Sequence, residues 1–294
     1  MIGITVGDPA GIGPEIVEQA LKSSQIARNV EYRIIGTRDA GNAGKPCSET
    51  TRLAFDALEE AANLAMHGVI DAVVTGPVCK FRMQEIGFTF PGQTEFFATR
   101  TGTDNYAMML TGGELTVALV TAHLPLAKVS PSLKCTEIVR VGALLAEFLD
   151  LRHGRSPRIA VAGFNPHAGE AGLLGREEID IIQPAVDDLR RARPAGASFE
   201  GPISPDTLFY RAVHGEWDGI LCMYHDQGLI PLKMHAFDAG VNVTLGIPFV
   251  RTSPDHGTAF ELAGKRLARP DSMISAINLA VEISGRRNRR GIEK

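Results

Sequence analysis

No stretch of this chain is apolar for long enough to cross a bilayer, and no basic segment with an apolar core opens it. The expectation is therefore a cytoplasmic protein rather than a membrane-spanning or secreted one. Positive charge is not in excess. The 30 Lys and Arg stand against 34 Asp and Glu, a net charge of −4, which argues against nucleic acid or acidic lipid as a partner. The one basic run, Arg286-Arg287-Asn288-Arg289-Arg290, reads as a frayed, solvated tail. Cysteine is sparse. Cys47, Cys79, Cys135 and Cys222 form no CxxC pair, so neither a zinc finger nor a disulfide framework fits, and reduced thiols are expected. The GxGxxG dinucleotide fingerprint, internal repeats and low-complexity segments are absent as well.

What is present is an alternation of short apolar runs with longer amphipathic stretches, the pattern of an α/β protein. Strands are expected at Ile2–Val6, Tyr32–Ile35, Ala72–Thr75, Leu115–Thr121, Arg158–Ala162, Gly219–Met223 and Val241–Leu245. Helices are expected from near Pro14, over Thr51–His67, and near Thr136–Leu149, Glu177–Arg191, Pro205–Val213 and Ser272–Ser284. The polar, glycine-bearing segments Thr37–Glu49 and Arg193–Pro205 read as surface connections. At 294 residues the chain can build one large or two medium domains. Two α/β lobes with a cleft between them are expected.

Three histidines stand in short loops, each just after an apolar run: Thr121-Ala122-His123-Leu124-Pro125, Asn165-Pro166-His167-Ala168-Gly169-Glu170 and Tyr224-His225-Asp226-Gln227-Gly228. An α/β sheet collects its ligand groups at the carboxyl ends of its strands. Three imidazoles delivered there suit a divalent cation with positions left open for substrate, and this makes a metal-dependent enzyme the leading expectation. His67, His153 and His214, in or beside amphipathic helices, read as solvated. The segment Gly7-Asp8-Pro9-Ala10-Gly11-Ile12-Gly13-Pro14-Glu15 joins a strand to a helix, and reads equally as a tight structural turn or as a ligand loop at a helix N-terminus. Lys233 and Arg251, with Asn242 between them, are candidates for holding a phosphate or carboxylate, the alternative being a pair of surface cations. His256-Gly257-Thr258-Ala259-Phe260-Glu261-Leu262-Ala263-Gly264-Lys265 combines a loop with an expected helix start, and the glycine beside an imidazole would let a flat ring approach the backbone.

These segments, with Thr75-Gly76-Pro77-Val78-Cys79-Lys80, Gly92-Gln93-Thr94-Glu95-Phe96 and Gly240–Gly246, resemble the 4-hydroxythreonine-4-phosphate dehydrogenases of vitamin B6 biosynthesis, in the family's order through nearly the whole chain. His256–Lys265 also resembles the HGSAPDIAGK segment of isopropylmalate and isocitrate dehydrogenases, where the adenosine of NAD(P) is cradled. The resemblance implies a two-lobed α/β/α fold of the isocitrate/isopropylmalate dehydrogenase type. Residues 1–120 with 240–294 would form one lobe and residues 121–239 the other, with the active site in the interlobe cleft at a dimer interface. It implies His123, His167 and His225 as metal ligands, and a homodimer in which both subunits supply ligands to the metal. It implies Thr94, Lys233, Asn242 and Arg251 as substrate-binding residues, joined by Gln93, and His256, Gly257 and Ala259 at the cofactor.

The expected reaction is NAD- or NADP-dependent oxidation of a small phosphorylated hydroxy acid, foremost 4-phosphohydroxy-L-threonine, followed by decarboxylation. Asp226 and Lys233 are the candidates for proton handling, ahead of Lys80, and Asp226 could instead orient His225. Zinc, cobalt or nickel suits three imidazoles, and magnesium only with added oxygen ligands. Two departures leave the substrate open. Gln93 stands where the biosynthetic enzymes usually carry histidine, and the Thr37–Glu49 connection is shorter than in the family. D-threonate or D-erythronate 4-phosphate and the cis-dihydrodiols of aromatic-acid breakdown are the alternatives. A ligand-binding relative without catalysis is the alternative outside the enzymes.

Overall fold

The computed structural model describes residues 1–38 and 43–291. Residues 39–42 of the Thr37–Glu49 connection lie outside the described residues. In chain order the elements are β1 (Ile2–Thr5), α1 (Gly13–Lys22), β2 (Tyr32–Ile35), α2 (Ser48–Met66), β3 (Ala72–Thr75), α3 (Lys80–Glu85), α4 (Gln93–Arg100), β4 (Ala107–Gly112) and β5 (Leu115–Leu119). Then come α5 (Val129–Ser132), α6 (Cys135–His153), β6 (Arg158–Ala162), α7 (Gln183–Ala192), β7 (Ser198–Ile203), α8 (Pro205–Val213), β8 (Gly219–Cys222), α9 (His225–Ala236), β9 (Val241–Leu245), β10 (Val250–Pro254) and α10 (Asp271–Arg289). They fall into two compact units, Met1–Asp104 with Asp238–Lys294, and Asn105–Phe237.

In the first unit the strands run β2-β1-β3-β10-β9. All neighbours are parallel except β9 and β10. β1 and β3 are buried along their whole length, as a parallel sheet covered on both faces requires. Strand alternation then assigns faces. In β10 the Thr252 hydroxyl donates to the Ala276 carbonyl of α10, so its neighbour Arg251 points to the opposite face.

The second unit orders its strands β4-β5-β8-β6-β7. β4 and β5 form an antiparallel hairpin, β8 lies parallel between β5 and β6, and β7 is parallel to β6. Ile220 and Cys222 join Val117, Leu229 and Leu232 in one core cluster, beneath α8 and α9. Burying each of these Leu side chains is worth roughly 1.5–3 kcal/mol. Gly219 and Leu221 face the other way. A Cβ on Gly142 of α6 would meet Leu221, and one on Gly219 would meet Leu149 of α6. Helices therefore cover both faces of this sheet, with β8 at its centre.

Four expectations need correction. The segment Arg193–Pro205 is not only a surface connection, because it contains β7, whose edge position tolerates Pro202. The basic run at 286–290 is not a frayed tail. α10 runs to Arg289, and burial pulls the Arg287 pKa down. The helix expected from Glu177 opens as a wide π turn, Glu178–Ile182, before α7. Pro184 has no amide to give to Asp180, which explains the widened turn. No helix starts in His256–Lys265, which is built of turns with Ala259 and Gly264 at positive φ. No helix among the described residues is long and apolar enough to cross a membrane.

Candidate active site

Parallel strands deliver their C-terminal loops to one edge, and three adjacent strands of the second unit do so here. β5 leads to His123, β8 to His225 and β6 to His167. His123 and His225 are brought together, with ring centroids 5.6 Å apart and planes tilted by 43°. His225 is not in a loop, as the glycine and proline around it suggested. It is the first residue of α9, and both Gly228 and Pro231 lie inside that helix. A side chain on Gly228 would press on Cys222, Leu119 and Val117, which is why glycine stands there. His225 Nδ1 is 2.6 Å from Asp226 Oδ1. That contact leaves Nε2 as the ring nitrogen for a ligand. Lys233, seven residues after Asp226, shares its side of α9.

His123 and His225 border a cavity of about 460 Å³ lined by Ala122, His123, Leu124, Leu126, Val129, Tyr224, His225, Asp226 and Ile230. Burial pushes the Tyr224 phenol's pKa up, aided by Cys222 and Asp226. His167 is not part of this pair. It stands in a left-handed turn, with φ between 44° and 79° from His167 to Ala171, and its Nδ1 lies 3.8 Å from Asp206 Oδ2. Four of those five residues are not glycine, and each such conformation costs roughly 1–2 kcal/mol. Among the described residues, no three His, Cys, Asp or Glu side chains are grouped to hold a metal ion within one chain. Two imidazoles with a carboxylate-oriented partner do suit a divalent cation as an incomplete ligand set.

The substrate candidates of the first unit converge on Arg251, which is 3% exposed. The alternative of a surface cation is thereby removed for this residue. Nη2 donates to Thr75 Oγ1 at 2.7 Å and to Gln93 Oε1 at 2.8 Å, and Nη1 donates to Thr244 Oγ1 at 3.3 Å. Thr94 Oγ1 lies 3.3 Å from Thr244 Oγ1, and Gln93 Nε2 donates to the Gly76 carbonyl at 3.2 Å. Antiparallel register pairs Arg251 with Thr244 and Ser253 with Asn242, so all four share one face. Burial pulls the Arg251 pKa down to about 10, opposed by the charge of Glu95, so the group stays cationic at neutral pH. Arg251 Nε, Asn242 Oδ1 and Glu95 Oε2 are buried without a hydrogen-bond partner. A buried cation whose hydrogen-bond acceptors are all neutral is costly, by several kcal/mol, unless an anion joins it. Sequence reasoning missed Thr75, Thr244 and Glu95 as parts of this cluster. Strand register links Thr75 and Thr244 to Arg251, and Glu95 joins them from α4.

His256 and the glycine loop are tied together. Ile12 N–H donates to the Thr258 carbonyl at 2.9 Å, and Glu15 Oε2 accepts from the Gly264 and Arg266 amides. A Cβ on Gly13 would fall 1.9 Å from the Val6 carbonyl oxygen, and one on Gly7 2.2 Å from that of Pro77. Val6 to Gly13 are all buried, so the loop is a structural seat for its neighbours rather than an open anion cradle. On the segment it supports, His256 Nε2 is buried without a partner, while a Cβ on Gly257 would meet nothing. An orphaned ring nitrogen beside open backbone fits the approach of a planar cofactor. A hollow of about 670 Å³ along α2 is larger, but its Glu59 and Glu60 are already paired with Arg100 and Arg33.

Asp8, in the glycine loop, is 1% exposed, with Oδ1 accepting from the Ala10 amide and Oδ2 unpartnered. Burial pushes its pKa up, against the Ala10, Thr50, Thr51 and Arg82 contributions. A carboxyl with a raised folded pKa gives stability that is full below the ordinary carboxylate range and is lost as pH rises through the folded value. Asp8→Asn is therefore expected to lose less in Tm than the native protein as pH rises above the ordinary carboxylate range. Parallel thermal-unfolding profiles would contradict this.

Fold and clusters together define an α/β enzyme scaffold with a buried cationic cluster in one unit and a histidine-bearing strand edge in the other. Residues 11–280 match the family model described as Pyridoxal phosphate biosynthetic protein PdxA, and the chain belongs to that family. It is 42% identical to the 4-hydroxythreonine-4-phosphate dehydrogenase of Desulforapulum autotrophicum, over 95% of this chain and 94% of that protein. It is 38% identical to a putative D-threonate 4-phosphate dehydrogenase of Salmonella typhi, over 96% of this chain and 98% of that protein. The crystal structure of the Klebsiella pneumoniae 4-hydroxythreonine-4-phosphate dehydrogenase superposes with a TM-score of 0.81 at 36% identity, covering 97% of this chain and 99% of that one.

Proposed function

We propose that this chain oxidises 4-phosphohydroxy-L-threonine with NAD or NADP and a divalent cation, and that the resulting β-keto acid loses CO2. Family membership makes it a dehydrogenase acting on a CH–OH group with a nicotinamide cofactor. The observation that carries the phosphate is Arg251, a buried cation among neutral hydrogen-bond acceptors with Nε unpaired. Gln93, Thr94, Asn242 and Lys233 complete the substrate contacts, and His256, Gly257 and Ala259 hold the cofactor.

His123, His167 and His225 would hold the cation, zinc and cobalt suiting imidazole best and magnesium needing oxygen ligands besides. When bound, it polarises the alcohol oxygen and offsets the negative charge that develops there. A nicotinamide held by His256, Gly257 and Ala259 would supply the hydride acceptor for the carbinol carbon, while the hydroxyl proton passes to Lys233. In the second step the C–C bond to the carboxylate breaks, its electron pair stays on the α-carbon, and a proton returns there. Lys233 is the proton carrier. Asp226, bonded to His225, acts as its orienting group. The ligand set is completed in a homodimer. Exposed Ile230 and Met234 on α9, with exposed Phe237 just after it, support this, and Ile230 shares a cavity with exposed Leu124 and Leu126. The setting proposed is the cytoplasm.

Gln93 sustains a second reading, D-threonate 4-phosphate, because its fixed amide bridges Gly76 and Arg251 where a histidine would carry a titrating charge. Rates of NAD(P) reduction separate the two. 4-Phosphohydroxy-L-threonine should exceed D-threonate 4-phosphate and any cis-dihydrodiol in kcat/KM by about tenfold or more, and the reverse order would transfer the assignment.

A further inference from the structure

Glu178 opens the wide turn ahead of α7 and is 3% exposed. Its Oε1 accepts from the backbone amides of both Phe164 and Asn165, each at 2.7 Å. Its Oε2 accepts from Asn165 Nδ2 at 2.9 Å. Glu177 Oε2 takes the same Nδ2 at 2.7 Å, and Glu177 Oε1 accepts from the Ser130 hydroxyl at 2.6 Å. One buried carboxylate thus binds three N–H groups of the two residues that immediately precede Pro166 and His167. The packing around it is tight. A Cβ on Gly169, inside the left-handed turn, would fall 2.7 Å from Glu178 Oε2, and one on Gly175 would fall 2.3 Å from Asn165 Nδ2.

Within the turn, the Ala168 amide donates to the Asn165 carbonyl and the Leu174 amide to that of Gly169, so Glu178 acts on a segment that also has its own backbone hydrogen bonds. His167, Ala168, Glu170 and Ala171 are all at positive φ, a conformation L residues adopt only when their surroundings impose it. The carboxylate holds the residues just before the turn through the Phe164 and Asn165 amides and packs against Gly169 at its middle. Nothing in the dehydrogenase chemistry calls on Glu178 directly.

We propose that Glu178 is a positioning residue that holds His167 in its left-handed turn and so sets the aim of that imidazole. This rests on the reading of His167 as a metal ligand. A glutamine at 178 keeps the volume but presents one oxygen and one NH2 group to three N–H donors, so at least one donor is left facing another.

The test uses Co2+ as the probe, with the full-length native protein and Glu178→Gln. Co2+ affinity is expected to fall about 10- to 100-fold, the usual effect of removing a group that orients a metal ligand. The visible spectrum of the Co2+-loaded protein should change, and hydrogen exchange over residues 163–175 should quicken. Gly169→Ala, which keeps the carboxylate but crowds it, should show the same defects and serves if Glu178→Gln does not fold. Native Co2+ affinity and spectrum in these variants would overturn the proposal, even if exchange quickened. If the native protein itself bound no Co2+, the metal reading would fall, and this inference with it.

Discussion

Replacing Arg251 with methionine is expected to lower kcat/KM for a phosphorylated hydroxy acid by about three orders of magnitude. A charge-assisted hydrogen bond is worth roughly 1.5–3 kcal/mol, and two of them to a phosphate account for about 4 kcal/mol, or roughly a thousandfold. The fold should survive. Methionine fills the same unbranched volume beside Phe97 and removes the desolvation cost of the guanidinium, but it also leaves the Glu95 carboxylate without its nearby cation. Thr75, Thr244 and Gln93 lose a donor, but Thr244 keeps its contact with Thr94. Thermal unfolding should therefore stay cooperative with a lowered Tm, and the kinetic loss is read on protein that is folded at the assay temperature. Arg251→Lys, which keeps the charge and loses the fork, is expected to fall between the two. For an unphosphorylated diol, Arg251→Met should cost less than about tenfold, since no anion is there to be read. Steady-state kinetics on both substrate types checks the difference, and equal losses would remove the phosphate from Arg251.

His225→Ala is expected to abolish divalent-metal binding and to reduce turnover by about a thousandfold or more, through loss of the polarised alcohol oxygen. The imidazole is the first side chain of α9, and its side chain is 32% exposed. The apolar anchors of the helix, Leu229 and Leu232, lie deeper in the core cluster and are untouched. Near-native Tm with lost metal is therefore the signature. Chelation of the native protein should reproduce the catalytic loss, and added zinc, cobalt or magnesium should reverse it. Metal analysis of the purified variant is the check. A full complement of metal would take His225 out of the ligand set.

Local pattern revealed much of the fold. Tyr32–Ile35, Ala72–Thr75, Arg158–Ala162 and Val241–Leu245 are strands with the bounds their apolar runs suggest. β4, β7 and β10 were not legible, because Met108 and Met109, Gly201 and Pro202, and the polar Arg251-Thr252-Ser253 each disguise a strand. Those residues become strands through neighbours far away in sequence, and β10 is the one that buries Arg251. Taken alone, that arginine reads as a surface cation, and it is the surrounding motifs that favour an anion-binding role. The order β5-β8-β6 likewise explains why three distant histidines follow one strand edge, a fact no spacing could reveal. The left-handed turn at His167 carries no glycine signature at four of its five positions. The side chain proposed to hold it, Glu178, reaches the residues just before it from another element.

The most direct test of the account is the parallel measurement of NAD(P)H and CO2 from 4-phosphohydroxy-L-threonine by the native protein, with and without chelator, beside the dephosphorylated amino acid. The expected result is equal amounts of NAD(P)H and CO2, both lost on chelation, with kcat/KM for the dephosphorylated compound about a thousandfold lower. Product formation that ignores chelator, or that proceeds equally well without the phosphate, would contradict it.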